Sequence, residues 1–288
     1  RDFLQKNAPV SALRALRDSR DELGYDATLW QDMVELGWAS VILPEEVGGL
    51  DFGFTGLGVV LQETGRTLAA SPLLATAVVG ASALLLGGTE TQRADLLPQL
   101  AAGELTLALA LEESHHHQPY HIATRLEAEG DSFYLSGEKT FVLDGHSADT
   151  LLVVARSSGE RNSREGLSVV LLPRDTPGVV IERTLMADSR NAANIRFTRV
   201  AITAEQVVGE VGAAGQWLDK VLDRGRVALA AEMLGSVEEV FARTVAWLKE
   251  RVQFGVPIGS FQALQHRAAR LQTELELARS IVLQALAT

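Results

Sequence analysis

The spacing of hydrophobic and polar positions changes twice along the chain. Residues 1–103 carry apolar side chains at helical intervals, as in the stripe that contains Leu29 and Met33. Residues 104–212 show a period of two, which is typical of β-strands. Helical intervals return over residues 213–288. The pattern therefore predicts an N-terminal helical domain, a central β-domain and a C-terminal helical domain.

The central region is predicted to hold short strands separated by turns. Its first segment alternates leucine with threonine and alanine, and the later segments are bounded by glycine and proline. The candidate strands are 104–111, 122–129, 132–143, 149–156, 166–173, 179–186 and 193–202. Short strands at close spacing favour an antiparallel sandwich or barrel of about 100 residues.

The C-terminal region is predicted to form two long antiparallel helices. Apolar residues step by three and four from Val227 to Leu248 and again from Phe261 to Val282, with a glycine and proline break between. At about 1.5 Å per residue the first helix reaches roughly 50 Å. A helix of that length needs partners along it, so we expect a bundle and an oligomer. The predicted fold class is α+β.

Composition narrows the class of protein. A net charge of −11 argues against a broad electrostatic grip on nucleic acid or anionic lipid. The chain has no cysteine, which excludes disulfides and thiolate metal sites and fits a reducing compartment, so we expect a cytoplasmic protein. No apolar stretch reaches the roughly 20 residues of a membrane span. Both ends lie inside helical patterns, and we expect the natural protein to extend beyond them.

The segment between the two long helices carries the sharpest chemical pattern. It presents Arg251, Phe254 and Gln262 around a glycine and proline turn. A guanidinium can clamp a pyrophosphate through two parallel hydrogen bonds. The aromatic ring can lie against an adenine or ribose, and the amide can bond a phosphate or a ribose hydroxyl. The alternative is a helix–turn–helix corner with a solvated arginine.

This segment resembles the R-x-x-F-G-x-x-x-x-x-x-Q signature of acyl-CoA dehydrogenases. The stretch Leu36-Gly37-Trp38, followed by Pro44-Glu45-Glu46-Val47-Gly48-Gly49, is similar to that family's N-terminal signature, and residues 137–145 are similar to its central flavin segment. The resemblance covers essentially the whole chain. It implies the three-domain fold, bound FAD, and a dimer or tetramer in which Arg251, Phe254 and Gln262 contact the ADP half of FAD across a subunit interface.

The resemblance also places the flavin ring on the β-domain. The strand that ends in Leu111, Glu112 and Glu113 matches the family's A-L-T-E-P segment, whose backbone contacts the flavin pyrimidine edge, so Leu111 and Glu113 are implied to bind the cofactor. Two departures stand out: Glu112 replaces a threonine, and the run at 115–117 replaces a glycine-rich stretch. Gln118 stands where a serine contacts cofactor or acyl-CoA. A core strand of leucine and alanine is the alternative.

Two residues of the next strand match flavin contacts of the family. Phe141 stands where an aromatic ring lies against the flavin, and Leu143 stands where a hydroxyl residue bonds flavin N5. Leucine cannot supply that bond, so we expect a different redox potential or hydride geometry. Both residues could instead belong to the strand core. The run His115-His116-His117 with His121 invites a metal site, but adjacent histidines diverge and we assign none.

Near the start of the first long helix, Asp223 and Arg226 share one face. An exposed ion pair is one interpretation, and the resemblance implies a place beside acyl-CoA, with Arg226 holding its polar portion.

The family's chemistry needs a carboxylate to remove the α-proton. Some family members carry this carboxylate one residue before the arginine that matches Arg226, but that position is Gly225 here. Glu232, the nearest carboxylate downstream, lies more than one helical turn from Arg226. We therefore expect the base beyond Thr288. No residue is assigned a catalytic role.

The resemblance implies an FAD-dependent dehydrogenase of fatty acid or lipid metabolism. It would oxidise an acyl-CoA at Cα and Cβ, pass a hydride to flavin N5, and reduce an electron-transfer flavoprotein or similar acceptor, as a homodimer or homotetramer. Two alternatives remain at this stage. One is a non-catalytic partner subunit of a hetero-oligomer, and the other is an oxygen-using oxidase or flavin monooxygenase.

Overall fold

The computed structural model describes residues 1–130 and 132–287. Thr288, the last residue of the predicted C-terminal domain, lies outside the described residues. The chain divides into two compact units, which we describe separately. The first contains Arg1–Ala12, Phe52–Ala69 and Arg226–Thr288, and the second contains Leu13–Asp51 and Ala70–Gly225.

The first unit is built from helices. They are α1 (Asp2–Asn7), α4 (Gly53–Thr67), α7 (Leu218–Glu250, whose first turns belong to the second unit) and α8 (Gln262–Leu286). Helices α4 and α7 meet through glycines, because a Cβ on Gly65 or Gly235 would lie 1.8 Å from a carbonyl oxygen of the facing helix. The glycines therefore bring the two backbones into direct contact.

A buried carboxylate joins three helices of this unit. Glu238 on α7 is 5% exposed and pairs with Arg66 of α4. It also accepts hydrogen bonds from Gln62 Nε2 at 2.6 Å and from Arg279 Nη2 of α8 at 2.6 Å. A buried charge is stable only when such partners satisfy it. Glu238 thus fixes α4, α7 and α8 together.

The predicted pair of long helices is confirmed, with a small addition. Helix α7 has 33 residues, which corresponds to about 50 Å. Between α7 and α8 lies a two-stranded hairpin of β8 (Val252–Gln253) and β9 (Val256–Pro257). Its turn places Phe254 at φ 54° and Gly255 at φ 79°, both left-handed. None of the described helices is both long and apolar enough to cross a bilayer.

The helices of the second unit frame its sheet. They are α2 (Val10–Ser19, which starts in the first unit), α3 (Ala27–Glu35), α5 (Ala81–Gly87) and α6 (Glu90–Ala101). A π-helical segment, Leu73–Gly80, leads into α5. The Thr89 side chain accepts from the Gln92 N–H and the Gln92 side chain accepts from the Thr89 N–H, so the Thr-x-x-Gln spacing of the sequence forms a capping box at the start of α6.

One sheet of seven strands forms the centre of this unit, as the sequence predicts. The strands are β1 (Leu107–Ala110), β2 (Arg125–Glu129), β3 (Ser132–Leu143), β4 (Thr150–Arg156), β5 (Leu167–Pro173), β6 (Val179–Leu185) and β7 (Asn191–Ile202). Their order is β1-β4-β2-β3-β7-β6, with β5 on the side of β4.

The predicted antiparallel arrangement needs one correction. Strand β4 pairs in parallel with β1 and with β2, while the other pairs of the sheet are antiparallel. Strand β4 pairs with β5 along one edge, and its other edge pairs first with β1 and then, at Arg156, with β2, both of which precede it in the chain. Alternation along a strand reports which side chains are buried but not the direction of the neighbouring strand, so the pattern could not show this crossover.

A buried arginine organises two loops beside the sheet. Arg156, at the end of β4, is 1% exposed. Its guanidinium donates to main-chain carbonyl oxygens, including those of Ile122 at 3.2 Å, Ser163 at 2.9 Å and Glu165 at 2.9 Å. The contacts satisfy a charge that would otherwise be costly to bury.

Candidate functional site

The segment that follows β1 is tied to β3 by a buried ion pair. Lys139 Nζ lies 2.8 Å from Glu113 Oε1 and donates to the Leu111 carbonyl at 3.0 Å. The Glu113 carboxylate also accepts from the N–H groups of Ala123 at 2.6 Å and Thr124 at 2.9 Å. The Lys139 side chain is fully buried. These bonds fix the backbone of residues 111–113 against the sheet.

Both members of this pair have shifted pKa values. Burial lowers the pKa of Lys139 to about 8, although the charge of Glu113 acts in the opposite direction. Burial tends to raise the pKa of Glu113, but the charge and hydrogen bond of Lys139 outweigh it and lower that pKa. At neutral pH the pair is therefore an ammonium and a carboxylate.

A β-bulge turns Phe141 out of the sheet. The register between β3 and β7 shifts between Lys139 and Val142, and Phe141 has φ 50°. Asn194 Oδ1 accepts from Thr140 Oγ1 at 2.8 Å and from the Phe141 N–H at 3.3 Å. The Phe141 side chain is 40% exposed while Val142 is buried. Bulges commonly re-aim a side chain in this way, and here the bulge presents an open aromatic face.

Leu143 closes the same strand. It pairs with Ala192 of β7 in an antiparallel register and is partly buried. Its side chain has no donor or acceptor. Leu143 can therefore offer only an apolar contact to a ligand.

The loop after β1 folds around Glu112. Its carboxylate accepts from the Gln118 N–H at 3.0 Å and lies 2.5 Å from Nδ1 of His117. His115 packs against Phe141, with the ring centroids 6.0 Å apart. The loop thus meets the aromatic face that the bulge presents, and Gln118 stands at its far end. Among the described residues no group of three histidines, aspartates or glutamates could hold a metal ion.

The hairpin between α7 and α8 exposes the other predicted contacts. Arg251, Phe254 and Gln262 all lie at the surface, and Phe254 is 92% exposed. Phe254 meets Phe261 edge to face with centroids 6.2 Å apart, and the Arg251 guanidinium lies 6.0 Å from the Trp247 ring. No ion pair of Arg251 is found within the described ranges. The hairpin therefore offers a cation and a flat apolar ring to an external ligand.

Asp223 and Arg226 both lie on the exposed surface of α7. Their spacing of three residues places them on one face of the helix. Each takes part in polar or electrostatic contacts within the chain. The position between them that some family members use for a glutamate is Gly225, which has no side chain to offer.

Sequence reasoning missed two residues that shape this region. Lys139 lies an even number of residues after Leu135, which is fully buried, so the period of two would place this lysine in the core. A buried lysine needs a carboxylate partner, and that rule would have drawn attention to Glu113. Asn194, which holds the bulge, carries no local signature because its contacts lie across the sheet.

Comparison with protein families covers nearly the whole chain. The acyl-CoA dehydrogenase N-terminal domain matches residues 1–104, the middle domain matches 108–200 and the C-terminal domain matches 216–288. The chain is similar to the probable acyl-CoA dehydrogenase YngJ of Bacillus subtilis (strain 168). The two are 30% identical over 292 residues, which cover 99% of this chain and 76% of the relative.

Solved structures agree with this. Butyryl-CoA dehydrogenase from Megasphaera elsdenii matches with a TM-score of 0.88 and 26% identity, over 99% of this chain and 76% of its own. The steroid ACAD variant Tcur3481-Tcur3483 matches with a TM-score of 0.86 and 35% identity, over 99% of this chain and 74% of its own. The chain therefore belongs to the acyl-CoA dehydrogenase family, FAD flavoproteins that oxidise the CH–CH bond next to an acyl-CoA thioester.

Proposed function

We propose that this chain holds the FAD ring on the β-domain surface formed by Leu111, Glu113, Phe141 and Leu143, and that it dehydrogenates an acyl-CoA there. One observation carries the proposal: the bulge in β3 turns an open aromatic face outward beside a backbone segment held by a buried ion pair. Bound FAD supplies the acceptor for the hydride that leaves Cβ. The protein supplies position and electrostatics.

The residues present fit a flavin in most respects. Among the described residues the backbone N–H of Glu113 finds no acceptor, so it remains available as a donor for a pyrimidine oxygen. The carboxylate of Glu113 is turned inward to Lys139, which keeps its charge away from that edge. Phe141 offers a ring for stacking. Leu143 is the exception, because it cannot bond a flavin nitrogen.

The hairpin residues Arg251, Phe254 and Gln262 are proposed to hold the ADP half of FAD. Their exposure, and the left-handed backbone that lifts Phe254 outward, support this role. A guanidinium suits a diphosphate through paired, charge-assisted hydrogen bonds. We propose that the site is completed in a homodimer or homotetramer. Large apolar side chains remain exposed along both long helices and support an assembly, namely Met233, Val240, Trp247, Leu277 and Ile281.

Asp223, Arg226 and Gln118 are proposed to hold the polar part of acyl-CoA. Their exposed positions are compatible with a ligand that lies on the surface. The proposal assigns no catalytic base to a described residue and takes the base to lie beyond Thr288.

An electron-transfer flavoprotein or a similar acceptor is proposed to reoxidise the flavin. The cysteine-free sequence fits a reducing compartment, and we propose the cytoplasm.

The test uses the full-length protein. Purified protein should carry FAD, and anaerobic addition of its acyl-CoA should bleach the visible flavin absorbance within one turnover. A panel of straight, branched and ring-bearing acyl-CoAs identifies the substrate. Protein that retains FAD but is bleached by none of them would contradict the dehydrogenase. Rapid formation of peroxide in air would instead indicate an oxidase.

A specific observation also favours a second candidate, a non-catalytic partner subunit. Leu143 removes a flavin contact and Glu112 brings a carboxylate to the flavin segment. Two similar solved structures, Tcur3481-Tcur3483 and the ChsE4-ChsE5 complex from Mycobacterium tuberculosis, are each named after two components. Under this hypothesis the protein purified alone lacks flavin and gains activity only with a paralogue. Flavin bound to an active homo-oligomer excludes it.

A further inference from the structure

The loop of residues 112–118 turns without glycine and without backbone strain. The family's stretch here is glycine-rich, whereas this chain has three histidines. None of the residues 112–118 has a positive φ, so the path requires no glycine. The loop must therefore be held in another way, and the contacts of Glu112 show how.

Glu112 makes three contacts, one with strand β3 and two with the loop. Its carbonyl oxygen accepts from the Thr140 N–H at 2.8 Å, one residue before Phe141. One carboxylate oxygen accepts from the Gln118 N–H at 3.0 Å, and the other lies 2.5 Å from His117 Nδ1. Hydrogen bonds to an ionised acceptor are among the stronger ones in proteins. The carboxylate therefore closes the loop and ties its base to the bulged strand.

The closed loop carries His115 onto Phe141. The two ring centroids lie 6.0 Å apart with the planes inclined by 60°, a tilted contact of the kind aromatic pairs favour. Phe141 has a left-handed backbone that a bulky residue does not choose by itself. Its neighbours therefore hold it in place: Asn194 accepts from its N–H, and His115 contacts its ring.

We propose that Glu112 is a positioning residue for the cofactor, which closes the 112–118 loop so that His115 sets the tilt of the Phe141 ring toward the flavin. This inference rests on the proposed function. It explains two departures from the family by one device, because the glutamate that replaces a threonine fixes the histidines that replace glycines. The negative charge of Glu112 is used within the loop and lies beside His117.

The test compares substitutions in the full-length, flavin-loaded protein. Glu112→Ala and His115→Ala should each weaken FAD binding about tenfold and change the visible circular dichroism of the bound flavin, which reports the surroundings of its ring. Glu112→Gln should restore most of the signal, because its amide oxygen can still accept from the Gln118 N–H. His116→Ala is the matched control, since no side-chain contact of His116 is found in the described part of the chain, and it should change neither quantity.

A double substitution separates positioning from general damage. If Glu112 acts through His115, the pair Glu112→Ala and His115→Ala should weaken FAD binding no more than the larger single effect, whereas independent effects multiply. Multiplying effects, or a circular dichroism spectrum that stays unchanged in both single variants, would overturn the inference. His115 is exposed, so its variant folds even if Glu112→Ala does not.

A second measurement needs no flavin. In the apoprotein, nuclear Overhauser contacts between the rings of His115 and Phe141 should be present in the wild type and lost in Glu112→Ala. Their survival in that variant would contradict the role of Glu112. Wild-type protein that binds no FAD would instead sink the proposed function and this inference together. Wild-type protein that binds FAD with variants indistinguishable from it would sink this inference alone.

Discussion

The segment of the β-domain proposed to face the flavin and the hairpin between the long helices differ in how their charged side chains are paired. In the β-domain the two carboxylates that follow β1 both have partners: Glu113 has Lys139 and Glu112 has His117. In the hairpin, Arg251 and Phe254 face solvent. The first surface is organised by its own chain before any ligand arrives. The second leaves a cation and an aromatic ring exposed, as the proposed contact with FAD requires.

The two surfaces should therefore respond differently to substitution. Changes in the buried pair act on the folded state, because removing one partner leaves an unpaired charge in the interior. Changes in the hairpin act on a ligand, because exposed side chains add little to stability. The following predictions, in order of decreasing effect, test that distinction.

The largest effect is expected for Lys139→Met. It leaves the Glu113 carboxylate buried without its cation and should lower the free energy of unfolding by about 3–5 kcal/mol. Denaturant titration measures this. The double variant with Glu113→Gln should recover part of the loss, because neither charge then remains. Lys220→Met is the control, because Lys220 is exposed, and it should shift stability by no more than about 0.5 kcal/mol.

Arg251→Ala should leave folding unchanged and weaken FAD binding about tenfold to a hundredfold. The reason is the loss of charge-assisted bonds worth about 1.5–3 kcal/mol. Equilibrium binding of FAD to the apoprotein measures the change. Arg243→Ala removes another exposed arginine, which lies on α7 and pairs with Glu239, and it should leave binding intact. Equal losses in both variants would indicate a general charge effect.

Glu113 should contribute to the loss of stability of the protein at acid pH. Its pKa is below the ordinary 4.5 in the folded protein, since the charge and hydrogen bond of Lys139 outweigh burial. The unfolded chain therefore takes up the proton first as pH falls. The contribution of Glu113 to stability is complete above the ordinary value and is lost as pH falls through the folded value. In Glu113→Gln that part of the acid dependence should disappear, an effect smaller than the loss in Lys139→Met.

The smallest change in stability is expected for Phe254→Ala. The side chain is 92% exposed, so the free energy of unfolding should stay within about 0.5 kcal/mol of wild type. FAD affinity should fall by roughly twofold to tenfold, in keeping with about 0.5–1.5 kcal/mol for an aromatic contact. A loss of stability above 1 kcal/mol would show that the hairpin is part of the fold rather than a ligand surface.

The same contrast explains what the sequence could predict. Strands, long helices and the capping box at Thr89 follow from spacing within short windows, and all are present. The parallel pairing of β1 with β4 and the bulge at Phe141 depend on partners far along the chain. In the sequence, the stretch 132–143 looks like one regular strand. Its bulge depends on hydrogen bonds with Asn194 of β7, which lies far along the chain. The hairpin signature was legible because its residues are consecutive, whereas the Glu113–Lys139 pair joins two separate segments.

The way Arg156 holds its neighbouring loops has a consequence for how this protein can diverge. Among the described residues, all hydrogen bonds of its guanidinium go to main-chain oxygens, so they do not depend on which side chains the loops of residues 120–122 and 158–165 carry. Exposed positions of these loops can therefore be substituted without loss of those hydrogen bonds. One buried cation at this place would let the chemistry of an exposed rim vary without a change in the scaffold beneath it.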